Sequence, residues 1–83
     1  MKKRNQDLKT KISELREMDR ERLGYFYRVA VKANYFNVGV HYTGETKQIV
    51  ERKRNLGLSL SKKVEKVCSE RGYDMDEFRR EFL

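Results

Sequence analysis

Proline and tryptophan are absent from this sequence, and cysteine and histidine occur once each, as Cys68 and His41. A lone cysteine forms no internal disulfide, which points to a reducing, cytoplasmic setting rather than secretion. One cysteine and one histidine are too few ligands for a zinc site. No flanking motif pairs them as nucleophile and base, so Cys68 is expected to be structural and no catalysis is expected. Asp74, Asp76 and Glu77 are close enough in sequence to hold a hard cation, but helix capping and the helix dipole already explain their spacing. Gly39, Gly44 and Gly57 are isolated, so there is no glycine-rich loop to cradle a phosphate. No cofactor is expected. No apolar run approaches the length that crosses a bilayer, and the basic start "MKKRNQD" has no apolar segment behind it as a secretion signal would. Repeats, low-complexity tracts and linker-like stretches are also missing, so residues 1–83 are expected to form a single small basic domain.

What the sequence has in quantity is charge. Lys and Arg number 20 against 13 acids, for a formal net charge of +7. Five tyrosines and four phenylalanines argue against a disordered chain. The charge is uneven: residues 1–63 hold sixteen Lys and Arg against seven acids, whereas residues 64–83 hold four against six. A one-sided basic field draws polyanions and speeds their encounter, and nucleic acid is the commonest such partner.

The local patterns predict an α+β fold: an N-terminal helix, a central antiparallel hairpin and two or three C-terminal helices. Leu8, Ile12, Leu15 and Met18 form one helical stripe across residues 5–23, with Asn5 or Asp7 as its cap. In "YFYRVAVKANYFNVGVHY" the apolar residues alternate as Tyr25, Tyr27, Val29 and Val31, then shift phase to Phe36, Val38, Val40 and Tyr42. That is the pattern of strands at 25–32 and 35–42 in which Val31 faces Phe36 and Tyr25 faces Tyr42. The other hairpin face then carries Phe26, Arg28, Lys32, Tyr35, Asn37 and His41. Aromatic rings there can stack bases while the cations neutralise phosphates. Lys47 with Arg52, Lys53 and Arg54, and Lys62 with Lys63, add further candidate phosphate contacts.

Residues 43–56 favour a helix capped by Thr43 and ending at Gly57, the alternative being a turn at "TGET" and a third strand at 47–53. "NLGLSL" alternates like a short strand or an extended linker. Ser61 is placed as the cap of a helix carrying Val64, Val67 and Cys68 and ending at Gly72. Asp74 and Glu77 form a capping box for a last helix, with Tyr73 stapled onto Phe78.

"NLGLSLSKKVEKVCSERGYDMDEFRREFL" resembles ribbon-helix-helix repressors in its order of strand, helix, glycine turn and helix. The resemblance implies a homodimer with Asn55, Gly57 and Ser59 toward a DNA major groove, although Asp74 stands where that family anchors phosphate. The helix, strands and "SKKVEK" helix also resemble a double-stranded RNA-binding domain, which implies phosphate contacts from Lys62, Lys63 and Lys66. That helix lacks the small alanines usual there, and the long first loop is missing. Both patterns agree with the function expected from charge: a non-catalytic regulatory protein that binds DNA or RNA. The alternative is a small protein-binding regulator or inhibitor of a larger nucleic-acid-processing enzyme.

Overall fold

The computed structural model describes residues 7–36 and 39–83, which include four helices and no strand: α1 (Ile12–Leu15), α2 (Arg20–Asn34), α3 (Gly44–Glu70) and α4 (Met75–Phe82). The expected hairpin is therefore corrected. Residues 25–32 lie inside α2, and no described residue of 35–42 belongs to a strand. Residues 47–53 and "NLGLSL" are not strands either, because both belong to the single 27-residue helix α3. The strand that a ribbon-helix-helix or double-stranded RNA-binding arrangement needs is thus absent among the described residues.

Why α2 is helical can be read from its buried residues. Leu23, Phe26 with Tyr27, Ala30 and Ala33 recur at three and four and are all buried. The alternating Tyr25, Tyr27, Val29 and Val31 are only a subset of this helix, and Tyr25 is 54% exposed. Asp19 sets the start: its backbone is extended and its carboxylate accepts the Arg22 N–H at 2.8 Å. That cap separates α2 from α1, so the expected single helix over residues 5–23 is broken. Its apolar stripe survives the break, with Leu8 and Leu15 buried and Ile12 and Met18 packed against the core.

α3 buries Val50, Gly57, Leu60, Ser61, Val64, Val67 and Cys68, again at spacings of three and four, or their sum. At about 1.5 Å per residue it is some 40 Å long, and the molecule extends 42 Å along its principal axis. Its largest interface is with α2. Gly57 sits in that interface: a Cβ there would fall 2.6 Å from both the Ala30 carbonyl oxygen and the Asn34 nitrogen. A mid-helix glycine costs about 1 kcal/mol relative to alanine, and here its missing side chain is what lets the two backbones approach. Ser61 does not cap a helix; its hydroxyl donates back to the Leu58 carbonyl at 2.8 Å within α3.

Gly72, Asp74 and the Tyr73–Phe78 contact act as expected, but among the described residues the Glu77 carboxylate does not return to the Asp74 N–H, so the expected capping box is only half formed. Gly72 ends α3 at φ 77°, with Tyr73 N–H donating to the Cys68 carbonyl at 2.9 Å and Gly72 N–H to Ser69 at 3.0 Å, a left-handed glycine cap. Asp74 caps α4 by accepting the Asp76 and Glu77 N–H groups. Tyr73 stacks on Phe78 at 6.1 Å between ring centroids, and Phe78 is fully buried. Beside it the Tyr27 hydroxyl donates to Glu65 Oε2 at 2.9 Å and accepts from Arg79 Nε at 3.0 Å. Three helices meet at this phenol, whose pKa burial pushes up. Cys68 is buried as expected, and the same cause raises its thiol pKa.

Candidate functional site

Helical geometry puts Tyr25, Arg28, Val29, Lys32 and Ala33 on one face of α2, and Phe36 follows just past its end. Together with Leu8 and with Lys53 from α3 they line a groove of about 420 Å³. Its floor is apolar, from Leu8, Val29 and Ala33. Among the described residues Arg28, Lys32 and Lys53 are the charged members of its lining, and none is an acid. The ion pairs Arg16–Glu70, Arg20–Glu81, Arg79–Glu65 and Arg79–Asp76 use none of these cations.

The groove's aromatic walls are held in different ways. The Tyr25 ring lies perpendicular to Phe26 at 5.4 Å between centroids, its hydroxyl donates to Asp7 Oδ2 at 3.4 Å, and about half of the residue remains open to solvent. Phe36 is anchored through its backbone, where the carbonyl accepts from Arg54 Nε at 2.7 Å. Lys53 Nζ lies 3.9 Å from the centre of the Phe36 ring, a cation–π contact that holds the ammonium at the groove. Beyond Tyr25 the surface changes sign. A second depression, which shares Tyr25, is lined by Asp7, Glu21, Arg22 and Phe26.

The candidate residues expected from sequence are thus divided. Arg28, Lys32 and Lys53 come together in the groove. Arg54 stands behind Phe36 rather than in the lining. Tyr35 is 64% exposed at the end of α2, also outside the lining. Asn37 lies outside the described residues. His41, Lys47, Arg52 and Lys62 are exposed, and helical periodicity turns Arg52 and Lys62 to the side of α3 away from Gly57. Lys63 Nζ reaches the Thr10 carbonyl at 3.5 Å. Phe26, expected on the outward face, is core. Tyr25 and Phe36, expected on the covered face, are the walls. The signal for them was present in the spacing 25, 28, 32, 36, which is one helical face and not one strand face.

Other chemistry finds little support among the described residues. They contain no cluster of His, Cys, Asp and Glu able to hold a metal. The Asp74 carboxylate is engaged with backbone N–H groups. His41 precedes α3 and Cys68 lies near its far end, about 36 Å along the axis, so the two cannot act on one substrate atom. No helix of the described residues is long and apolar enough to cross a membrane. No protein-family model, curated protein or solved structure significantly matches the chain.

Proposed function

We propose that the protein is a non-catalytic nucleic-acid-binding regulator acting in the cytoplasm, and that the groove beside α2 is its seat. One observation carries the reading: among the described residues, three cations and two aromatic rings line the same groove and no carboxylate does. Cations that lack acidic neighbours keep their full field for a phosphate, and rings beside them offer a base a stacking partner. Lys47, Arg52 and Lys62 extend the positive surface outside the groove and serve as secondary phosphate contacts. The rival reading is a regulator that docks on another protein. Tyr35, Val40 and Ile49 favour it, being 64%, 51% and 65% exposed.

Salt dependence separates the two. Affinity for oligonucleotides, measured by fluorescence anisotropy between about 50 and 200 mM salt, should fall steeply through counterion release. Absence of binding to single strand, duplex and RNA at about 50 mM salt rejects the proposal and leaves the protein-docking surface as the better reading.

A further inference from the structure

Resting on that reading, we infer that the groove takes a short single-stranded segment, about two nucleotides long, whose last base stacks on Tyr25. Three features set this footprint. Arg28 and Lys32 are one helical turn apart, roughly 6 Å along the axis, a separation that suits adjacent phosphates of an extended strand. Lys53 faces them from α3 in the same groove. Its ammonium rests on the Phe36 ring at 3.9 Å, so it can exchange the ring for a phosphate without being drawn from an ion pair. That exchange also frees a ring face at the end of the groove opposite Tyr25.

Tyr25 marks the other limit. It belongs to both depressions, the basic one and the one carrying Asp7 and Glu21. A polyanion running along α2 from Phe36 meets cations as far as Arg28, and after Tyr25 it meets two carboxylates, Asp7 and Glu21, against one cation, Arg22. The net charge there opposes the next phosphate, and the track stops at the Tyr25 ring, which is exposed enough to be reached by a base. Bases in a duplex are stacked within it and unavailable to such a ring, which makes the unpaired strand the ligand.

The test is competition by unlabelled thymidine oligonucleotides of one to eight residues, carrying a 5′-phosphate, and by a blunt duplex, at about 50 mM salt. The expected result is at least a tenfold gain in affinity from one to two nucleotides, little beyond the statistical gain thereafter, and a duplex at least tenfold weaker. Tyr25→Leu should lose about tenfold for the single strand with an unchanged circular dichroism spectrum, and Tyr25→Phe should keep the affinity. Glu21→Gln should lengthen the footprint by one nucleotide. Equal binding of duplex and single strand, steady gain through eight nucleotides, or an unaffected Tyr25→Leu overturns the footprint and leaves nucleic-acid binding standing. Failure of every nucleic acid to compete overturns both.

Discussion

The α2–α3 pair has two ends built on opposite electrostatic plans. At the end where α2 begins, cations close on acids: Arg16 holds Glu70 with two hydrogen bonds of 3.0 and 2.8 Å, Arg20 meets Glu81, and Arg79 meets Glu65 at 3.3 Å. Arg20 also lies within 5.4–5.7 Å of the Tyr73, Phe78 and Phe82 ring centres. Toward the end where α2 finishes, Arg28, Lys32 and Lys53 line a groove with no acid among its described residues. The first arrangement uses charge to join elements, and the second leaves charge facing outward. Net charge alone does not distinguish them. What matters is whether each cation's neighbours in the fold are acids.

The comparison predicts separable effects of mutation. The largest should come from the paired end. Phe78 is fully buried and contacts Tyr27, Tyr73 and Phe82, so Phe78→Ala should cost about 3–5 kcal/mol of stability, read by urea or thermal unfolding. Affinity per folded molecule should be unchanged. A groove affinity that falls while the chain remains folded would show the two ends to be coupled.

Next come the two buried glycines. Gly57→Val forces a branched side chain against the Ala30 and Asn34 backbone atoms. Overpacking of this kind costs about 1–3 kcal/mol or more, and it should weaken binding as well, because α2 and α3 together form the groove. At Gly24 the obstruction is the Phe82 ring, a side chain near the end of α4 that can turn aside. Gly24→Ala should therefore be the milder change and leave binding intact. Equal losses of stability from the two variants would mean that the backbone at the Gly57 crossing yields as readily as a ring.

These glycines also explain how far the fold was legible. The ends of helices were: Asp74 as a cap, Gly72 as a stop and the Tyr73–Phe78 contact follow from local chemistry within a few residues. The middle was not. α2 packs through Gly24, Ala30 and Ala33, and a search for large apolar side chains passes over them and finds the accidental alternation of Tyr25, Tyr27, Val29 and Val31. Gly57 reads locally as a terminator. Only its contact with a helix some two dozen residues earlier makes it an interior position of α3, and that contact is tertiary information. For the groove, composition singled out Arg28, Lys32 and Lys53 because charge does not depend on period. The aromatic partners did depend on it, so Tyr35 was favoured where the helix presents Tyr25 and Phe36.

At the groove end, stability and binding should come apart. Arg28→Ala and Lys32→Ala remove exposed side chains with no ion pair among the described residues. Each should move stability by no more than about 0.5 kcal/mol. Each should also flatten the slope of log affinity against log salt by about one, and the double variant by about two. Arg80, exposed on α4, is the control, and Arg80→Ala should leave that slope unchanged. A slope that responds to Arg80 as much as to Arg28 would mean that binding follows total charge rather than the groove.

The smallest effect is a pH dependence confined to the paired end. The Arg16 guanidinium holds the Glu70 carboxyl below its ordinary range, first through hydrogen bonding and then through charge. The folded protein therefore keeps Glu70 ionised at a pH where the unfolded chain has begun to protonate it, so the unfolded state binds more protons there. The resulting stabilisation is present in full above the ordinary carboxylate pKa of about 4.3 and is lost as pH falls through the lower, folded value. Glu70→Gln should make the acid side of the stability curve shallower and change little at neutral pH, because the pair is exposed and screened by solvent and salt. Neither Arg16 nor Glu70 lines the groove, so affinity per folded molecule should be the same for Glu70→Gln and the parent at pH 4.5 and at pH 7. Unfolding curves at several pH values, paired with anisotropy titrations in the same buffers, measure both. Should Glu70→Gln alter groove affinity, Arg16 released from Glu70 has joined the outward field, and the ion pair is then part of what keeps the two ends distinct.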